Sequence, residues 1–178
     1  MERLKQDEIK KHHDQIQLFI KLVFENSDND QLLLDICKRV GVNTLFPCQL
    51  LCHSTVENEI IQLEIDETSF LLIALNYQNE DVIRLLLENG ADPNGITSDG
   101  EPPLWELQYE YDNPEYGLRI TKLLLDYGAD PNIKWETEGF YTYVDTKDVD
   151  LIQSKEELDY LMNLTELLEK YGGKYDWE

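Results

Sequence analysis

The chain has 178 residues, of which 42% are apolar and 29% charged, with a formal charge of −22; that is enough length for one domain with a substantial core. So acidic a surface repels phosphate backbones and anionic lipid, which argues against nucleic acid and membrane as direct partners and favours a basic protein. No apolar run approaches the roughly 18 residues of a membrane span, and Met1 leads into Glu2, Arg3, Lys5, Gln6 and Asp7 without an apolar signal core.

In chain order, Ile9, Ile16, Phe19, Ile20 and Val23 share one helical face, predicting an amphipathic helix over residues 3–24. The cluster Asn26-Ser27-Asp28-Asn29-Asp30 supplies caps for a second helix through Leu32, Leu33, Ile36 and Val40 to Gly41. Pro47 suits the first turn of a short helix through Leu50, Leu51 and Cys52. Ile61, Leu63 and Ile65 alternate with polar neighbours, which fits a short extended segment; a helix from Glu57 fits as well, and the pattern leaves both open.

Ser69 to Leu75 read as a helix, and Asn79, Glu80 and Asp81 open another that Gly90 ends. Asn113 and Pro114 open a corresponding helix further on, after the run Tyr109-Glu110-Tyr111-Asp112-Asn113. The segment Ile133 to Gly139 reads as a projecting connection, with Phe140, Tyr141, Tyr143 and Val144 after it in a helix's place. An irregular acidic stretch, Asp145 to Ser154, precedes Ser154-Lys155-Glu156-Glu157, which has capping-box spacing. Leu158, Leu161, Met162, Leu164, Leu167 and Leu168 then form an apolar stripe up to Gly172-Gly173, and Tyr175 to Glu178 is a short tail.

The decisive feature is repetition. Leu85 to Asn94 (Leu-Leu-Leu-Glu-Asn-Gly-Ala-Asp-Pro-Asn) returns as Leu123 to Asn132 (Leu-Leu-Leu-Asp-Tyr-Gly-Ala-Asp-Pro-Asn), and a weaker copy runs from Leu167 to Gly173. Ser69-Phe70-Leu71-Leu72-Ile73-Ala74 and, more loosely, Pro102-Pro103-Leu104-Trp105-Glu106-Leu107 stand where a Thr-Pro-Leu-His-x-Ala pattern would. The chain therefore resembles the ankyrin repeat. Against its unit of about 33 residues, the second and third copies carry about 5 and 11 extra. Leu72 and Trp105 stand at the pattern's His position, so the ordering hydrogen bonds of that His are expected to give way to apolar contacts.

The resemblance implies an all-α solenoid of stacked antiparallel helix pairs with connecting fingers, in one capped domain: residues 1–65 a divergent helical N-terminal cap, 66–98 a repeat, 99–135 a repeat with an insertion, and 136–178 a degenerate repeat with a C-terminal capping helix. By family analogy it implies a protein-binding scaffold.

No Gly-rich phosphate loop, nucleophile elbow or paired-His zinc helix occurs, so neither an enzyme activity nor a cofactor is expected. Cys48-x3-Cys52-His53 has ligand-like spacing but lacks a second half, and His12 and His13 lie on a charged helix face. With Cys37, the cysteines fit free thiols and a cytoplasmic location.

The acidity is uneven, with 11 acids against 7 bases over 1–65 and 26 against 8 over 66–178. Aromatics surplus to an ankyrin core lie within that acidic half, so the expected partner-binding residues are Trp105, Tyr109, Glu110, Tyr111, Asp112, Trp135, Glu136 and Glu138. A core role competes for Trp105, Phe140 and Tyr143, and less strongly for Tyr109, Tyr111 and Trp135, and solubility alone competes as the reason for the acidity. Together these features look like a small acidic ankyrin protein of the bacterial kind, acting as an immunity protein against a basic toxin such as a nuclease, with a general adaptor for a neutral partner as the alternative and an enzyme with an unrecognised carboxylate site as a remote one.

Overall fold

The computed structural model describes residues 2–3, 6–53, 60–95, 102–135, 138–139 and 154–174. Two compact units divide the chain, Met1–Asp92 and Pro93–Glu178. Helices dominate both, as the expected all-α architecture requires, with one addition in the first unit.

That unit opens with strand β1 (Glu2–Arg3), followed by helices α1 (Gln6–Phe24) and α2 (Asp30–Val40). The apolar face of α1 is buried through Ile16, Phe19, Ile20 and Val23, and α2 answers with Leu33, Ile36, Cys37 and Val40. Gly41 ends α2 at φ 103°, a left-handed conformation that favours glycine, and its N–H bonds the Cys37 carbonyl.

The addition follows. Thr44–His53 forms strand β2 and Ile60–Thr68 forms strand β3, paired antiparallel, with β1 parallel to the start of β2. The short helix expected after Pro47 is thus corrected to a strand. Pro47 lies at a register irregularity between Phe46 and Cys48, where a missing N–H need not interrupt the ladder. The alternation of Ile61, Leu63 and Ile65 resolves as the extended segment, not the helix.

Helices α3 (Phe70–Asn76) and α4 (Glu80–Glu88) complete the unit. Ser69 caps α3 by accepting the Leu72 N–H at 3.3 Å, and Asn79 caps α4 by accepting that of Val82 at 3.1 Å. The Phe70 ring lies 4.5 Å from Phe19 and 4.8 Å from Phe46, so one side chain joins helix, strand and helix.

The second unit holds α5 (Pro103–Glu106), a 3-10 helix (Leu107–Asp112), α6 (Pro114–Asp126), the two-residue strands β4 (Lys134–Trp135) and β5 (Glu138–Gly139), and α7 (Lys155–Lys170). Ser154 caps α7 by accepting the Glu157 N–H at 3.0 Å, as the capping-box spacing predicts. Leu161, Leu164 and Leu168 are buried, whereas Met162, expected in the same stripe, is 63% exposed. Tyr160 takes the inward place.

An asparagine clasp recurs within the units. Asn43 donates to the Gly90 carbonyl at 3.0 Å and accepts the Asp92 N–H at 2.8 Å. Asn94 does the same to Gly128 and Asp130 at 2.9 and 2.8 Å, and Asn132 to Gly172 and Lys174 at 3.1 and 2.8 Å. Gly90, Gly128 and Gly172 all have positive φ at the ends of their helices. Because Asn43 makes the same pair of bonds, residues 6–43 behave at their exit as a repeat does.

Candidate functional site

The expected partner-binding residues centre on the insertion of the second repeat, and its backbone is ordered by a few specific contacts. Proline at 103 and 114 opens the two helices on either side, where a missing N–H costs nothing. Between them the run 107–112 closes as a 3-10 helix kinked at Glu110, whose φ of −80° and ψ of 28° leave the helical region. Asn113 follows as the N-cap residue of α6, without a side-chain capping bond.

The 3-10 helix is held from beneath by Tyr160. This side chain is 1% exposed, and its hydroxyl donates to the carbonyl of Leu107, the first residue of the 3-10 helix. Burial, reinforced by the charge of Glu110, pushes the phenol well above its ordinary range, so the hydroxyl stays protonated and able to donate. Gly117 on α6 makes room for this contact. A Cβ there would lie 2.5 Å from the Tyr160 hydroxyl and 2.7 Å from the Glu110 Cβ.

Trp105 is 3% exposed, and its indole N–H donates to the Ile133 carbonyl at 3.2 Å. It thus ties α5 to the connection leading into β4, and the apolar contact expected at this His-like position is joined by a polar one. Leu72, at the corresponding place in the first unit, is buried.

The structure places the remaining expected residues as follows. Tyr109, Glu110, Tyr111 and Asp112 are consecutive in the 3-10 helix, Glu110 half-buried and Asp112 exposed. Trp135 lies in β4 opposite Glu138 in β5. The side chains of Tyr109, Tyr111, Trp135 and Glu138 lie outside the described residues, as do Glu136, Phe140, Tyr141, Tyr143, Val144, the stretch 145–153 and the tail from Tyr175.

Beside the 3-10 helix a groove of about 560 Å³ runs between the starts of α6 and α7, lined by Asp112, Pro114, Ser154, Glu156, Asp159, Tyr160 and Asn163. Its ionisable side chains are three carboxylates and a buried phenol. Lys155 pairs with Asp159 at 3.7 Å, in an exposed ion pair of little strength. The spacing of Tyr160 from Leu164 and Leu168 was the sequence signal for this inward tyrosine, but the phenol's polar partner, a backbone carbonyl 53 residues away, left no trace in sequence.

Cys37 is buried and free, and burial pushes its thiol up to about 12, which makes it inert. Cys48 and Cys52 stand four residues apart on β2, a separation of about 13 Å at strand rise, too far to share one ion. Among the described residues no group of His, Cys, Asp and Glu has metal-binding geometry, and no helix is long and apolar enough to cross a membrane.

The helix pairs, the positive-φ glycines and the repeated asparagine clasp describe one unit used more than once, and the ankyrin repeat family matches residues 68–98. Residues 68–98 form an ankyrin repeat. A chain named for ankyrin repeats, protein L371 of Acanthamoeba polyphaga mimivirus, is 44% identical over 59 residues. Those residues make up 33% of this chain and 7% of that relative, so the chain spans a small part of its relative's length. Ankyrin repeats are non-enzymatic protein-interaction scaffolds, and here the residues expected as the second repeat's insertion form a short 3-10 ridge between α5 and α6.

Proposed function

We propose that this chain binds a basic protein through the acidic, tyrosine-bearing ridge Tyr109–Asp112, the adjoining groove and the finger containing Trp135, Glu136 and Glu138, and that it acts as an inhibitor of that protein, of the kind an immunity protein is to a nuclease toxin. One observation carries the reading: the backbone that bears the run Tyr109-Glu110-Tyr111-Asp112 is pinned by Tyr160, beside a groove whose charged lining is wholly acidic. Tyrosine anchors give contact area at low entropic cost, and carboxylates accelerate encounter with a cationic partner. A preformed ridge also spares the cost of ordering it on binding.

Trp105 serves this surface from below, holding the finger and not meeting the partner. The basic character of the partner draws support from the surplus of 18 acids over bases in residues 66–178.

The test is affinity capture with the tagged chain, washed at low and high salt, comparing wild type with Tyr109→Ala, Tyr111→Ala and Trp135→Ala. The reading requires one basic protein held in stoichiometric amount, released by salt, lost with those variants and inhibited in its own activity when bound. A neutral partner indifferent to salt and to the three substitutions would establish the general adaptor instead.

A further inference from the structure

The three asparagine clasps make the same pair of bonds, yet the residue after the asparagine differs. Thr44 follows Asn43, Gly95 follows Asn94 and Ile133 follows Asn132. The difference is chemical, because the backbone nitrogen of the next residue can attack an asparagine amide and close a succinimide ring. A β-branched neighbour crowds this approach, and glycine leaves it open.

The clasp acts on the same atoms. The Asp130 N–H donates to Asn94 Oδ1 at 2.8 Å, so it draws charge from the carbonyl and is placed to stabilise the oxyanion that forms when Cγ is attacked. Asn94 is half-buried, which leaves the ring within reach of water. The sequence has one other Asn-Gly step, Asn89-Gly90, and there both reacting groups are engaged at the end of α4. The Gly90 N–H is held by the Leu87 carbonyl at 3.1 Å, and the Asn89 amide donates to the Leu85 carbonyl at 2.8 Å.

We propose that Asn94 is a self-modification site, deamidated by Gly95, and that its product releases the second clasp. The Gly95 nitrogen gives its proton to solvent and bonds to Cγ. The Cγ–Nδ2 bond breaks, and Nδ2 leaves as ammonia with a proton returned by solvent. Water then opens the ring to aspartate or isoaspartate. The net change consumes one water and releases one ammonia, with no oxidation or reduction.

Where Nδ2 now donates to the Gly128 carbonyl at 2.9 Å, a carboxylate oxygen would face it, acceptor against acceptor. In isoaspartate the main chain runs through the side-chain carbon, which displaces both clasping groups. The joint at the end of α6 thus loosens as the chain ages, while the clasps of Asn43 and Asn132 persist. The site stands or falls independently of the tyrosine ridge.

The test ages the full wild-type chain at mildly alkaline pH in water enriched in heavy oxygen, with peptide mapping by mass spectrometry. Deamidation with uptake of heavy oxygen is expected at Asn94, at least about tenfold faster than at Asn43, Asn132 or Asn89, a barrier lower by about 1.4 kcal/mol. The aged chain, separated from the unmodified one by ion exchange, should exchange its amide hydrogens faster at residues 128–130 and as before at 90–92 and 172–174. Asn94→Asp should reproduce this pattern, and Asn89→Asp should not.

Equal rates at the three clasping asparagines, or a faster rate at Asn89, would overturn the site. Unchanged exchange at residues 128–130 in the aged chain would overturn the release of the clasp. Both arms use the wild-type chain, so they decide even if Asn94→Asp folds poorly.

Discussion

Gly117 and Tyr160 show how much of the ridge depends on two side chains, one of them a single hydrogen atom. Gly117→Ala would push a methyl against the Tyr160 hydroxyl and the Glu110 Cβ, and overpacking of this sort costs about 1–3 kcal/mol. The denaturant midpoint should fall accordingly, with the slope unchanged. By contrast, Gly90→Ala meets nothing within 4 Å and bears only the strain of φ 88°, about 1 kcal/mol. A larger loss at Gly90 than at Gly117 would refute the packing argument.

Tyr160 adds a pH signature. Its folded-state phenol titrates above its ordinary value of about 10, so its neutral form is favoured by folding. A raised folded pKa means the stabilisation is complete below the unfolded value and is lost as pH climbs past it. Unfolding experiments from pH 9 to 11 should show a decline that Tyr160→Phe flattens. A variant as steep as wild type would assign the decline to other groups.

Among elements, the two long helices of the second unit differ at their starts. Ser154→Ala removes a real capping bond to Glu157 and should cost about 1 kcal/mol. Asn113→Ala, at a cap position without such a bond, should cost clearly less. Thermal midpoints of the two variants make the comparison directly.

Sequence spacing revealed the Ser154 cap because a capping box is a local pattern, and it revealed α1, α2 and α4 because each buries one periodic face, whereas α3, buried from Phe70 through Leu75, was legible from the repeat pattern. It failed at β2, where Leu50 and Leu51 are adjacent and break the alternation a strand advertises, and where Pro47 suits a helix start as well as a bulge. Half of the hairpin was legible in Ile61, Leu63 and Ile65; the other half depends on its cross-strand partner. For the ridge, the tyrosines and acids were visible as surplus composition, but the turn that carries them is set by Tyr160 and Gly117, contacts distant in sequence. Trp105 was legible as an exception to the repeat pattern, and only its bond to Ile133 shows it working inward.

For the molecule as a whole, a formal charge of −22 on 178 residues means the folded chain repels itself. Raising sodium chloride from about 0.01 to about 0.5 M shortens the screening length several-fold, and the melting temperature should rise by a few degrees. A melting temperature that fell with salt would indicate that the local ion pairs Arg84–Glu80, Lys122–Asp126 and Lys170–Glu166 outweigh the general repulsion.

The asparagine clasp has a bearing on how such a chain can change over time. Its three copies keep the same two bonds while the donor and its carbonyl acceptor lie 47, 34 and 40 residues apart. The clasp senses a glycine and the amide two places beyond it, and is blind to how much chain was spent in between. Closing a longer loop costs little extra, about 0.6 kcal/mol per doubling. Insertions can therefore accumulate between helices, lengthening a ridge or adding a hairpin, without any correction at the joints. A recognition surface can then be rewritten by adding or deleting residues as freely as by exchanging them.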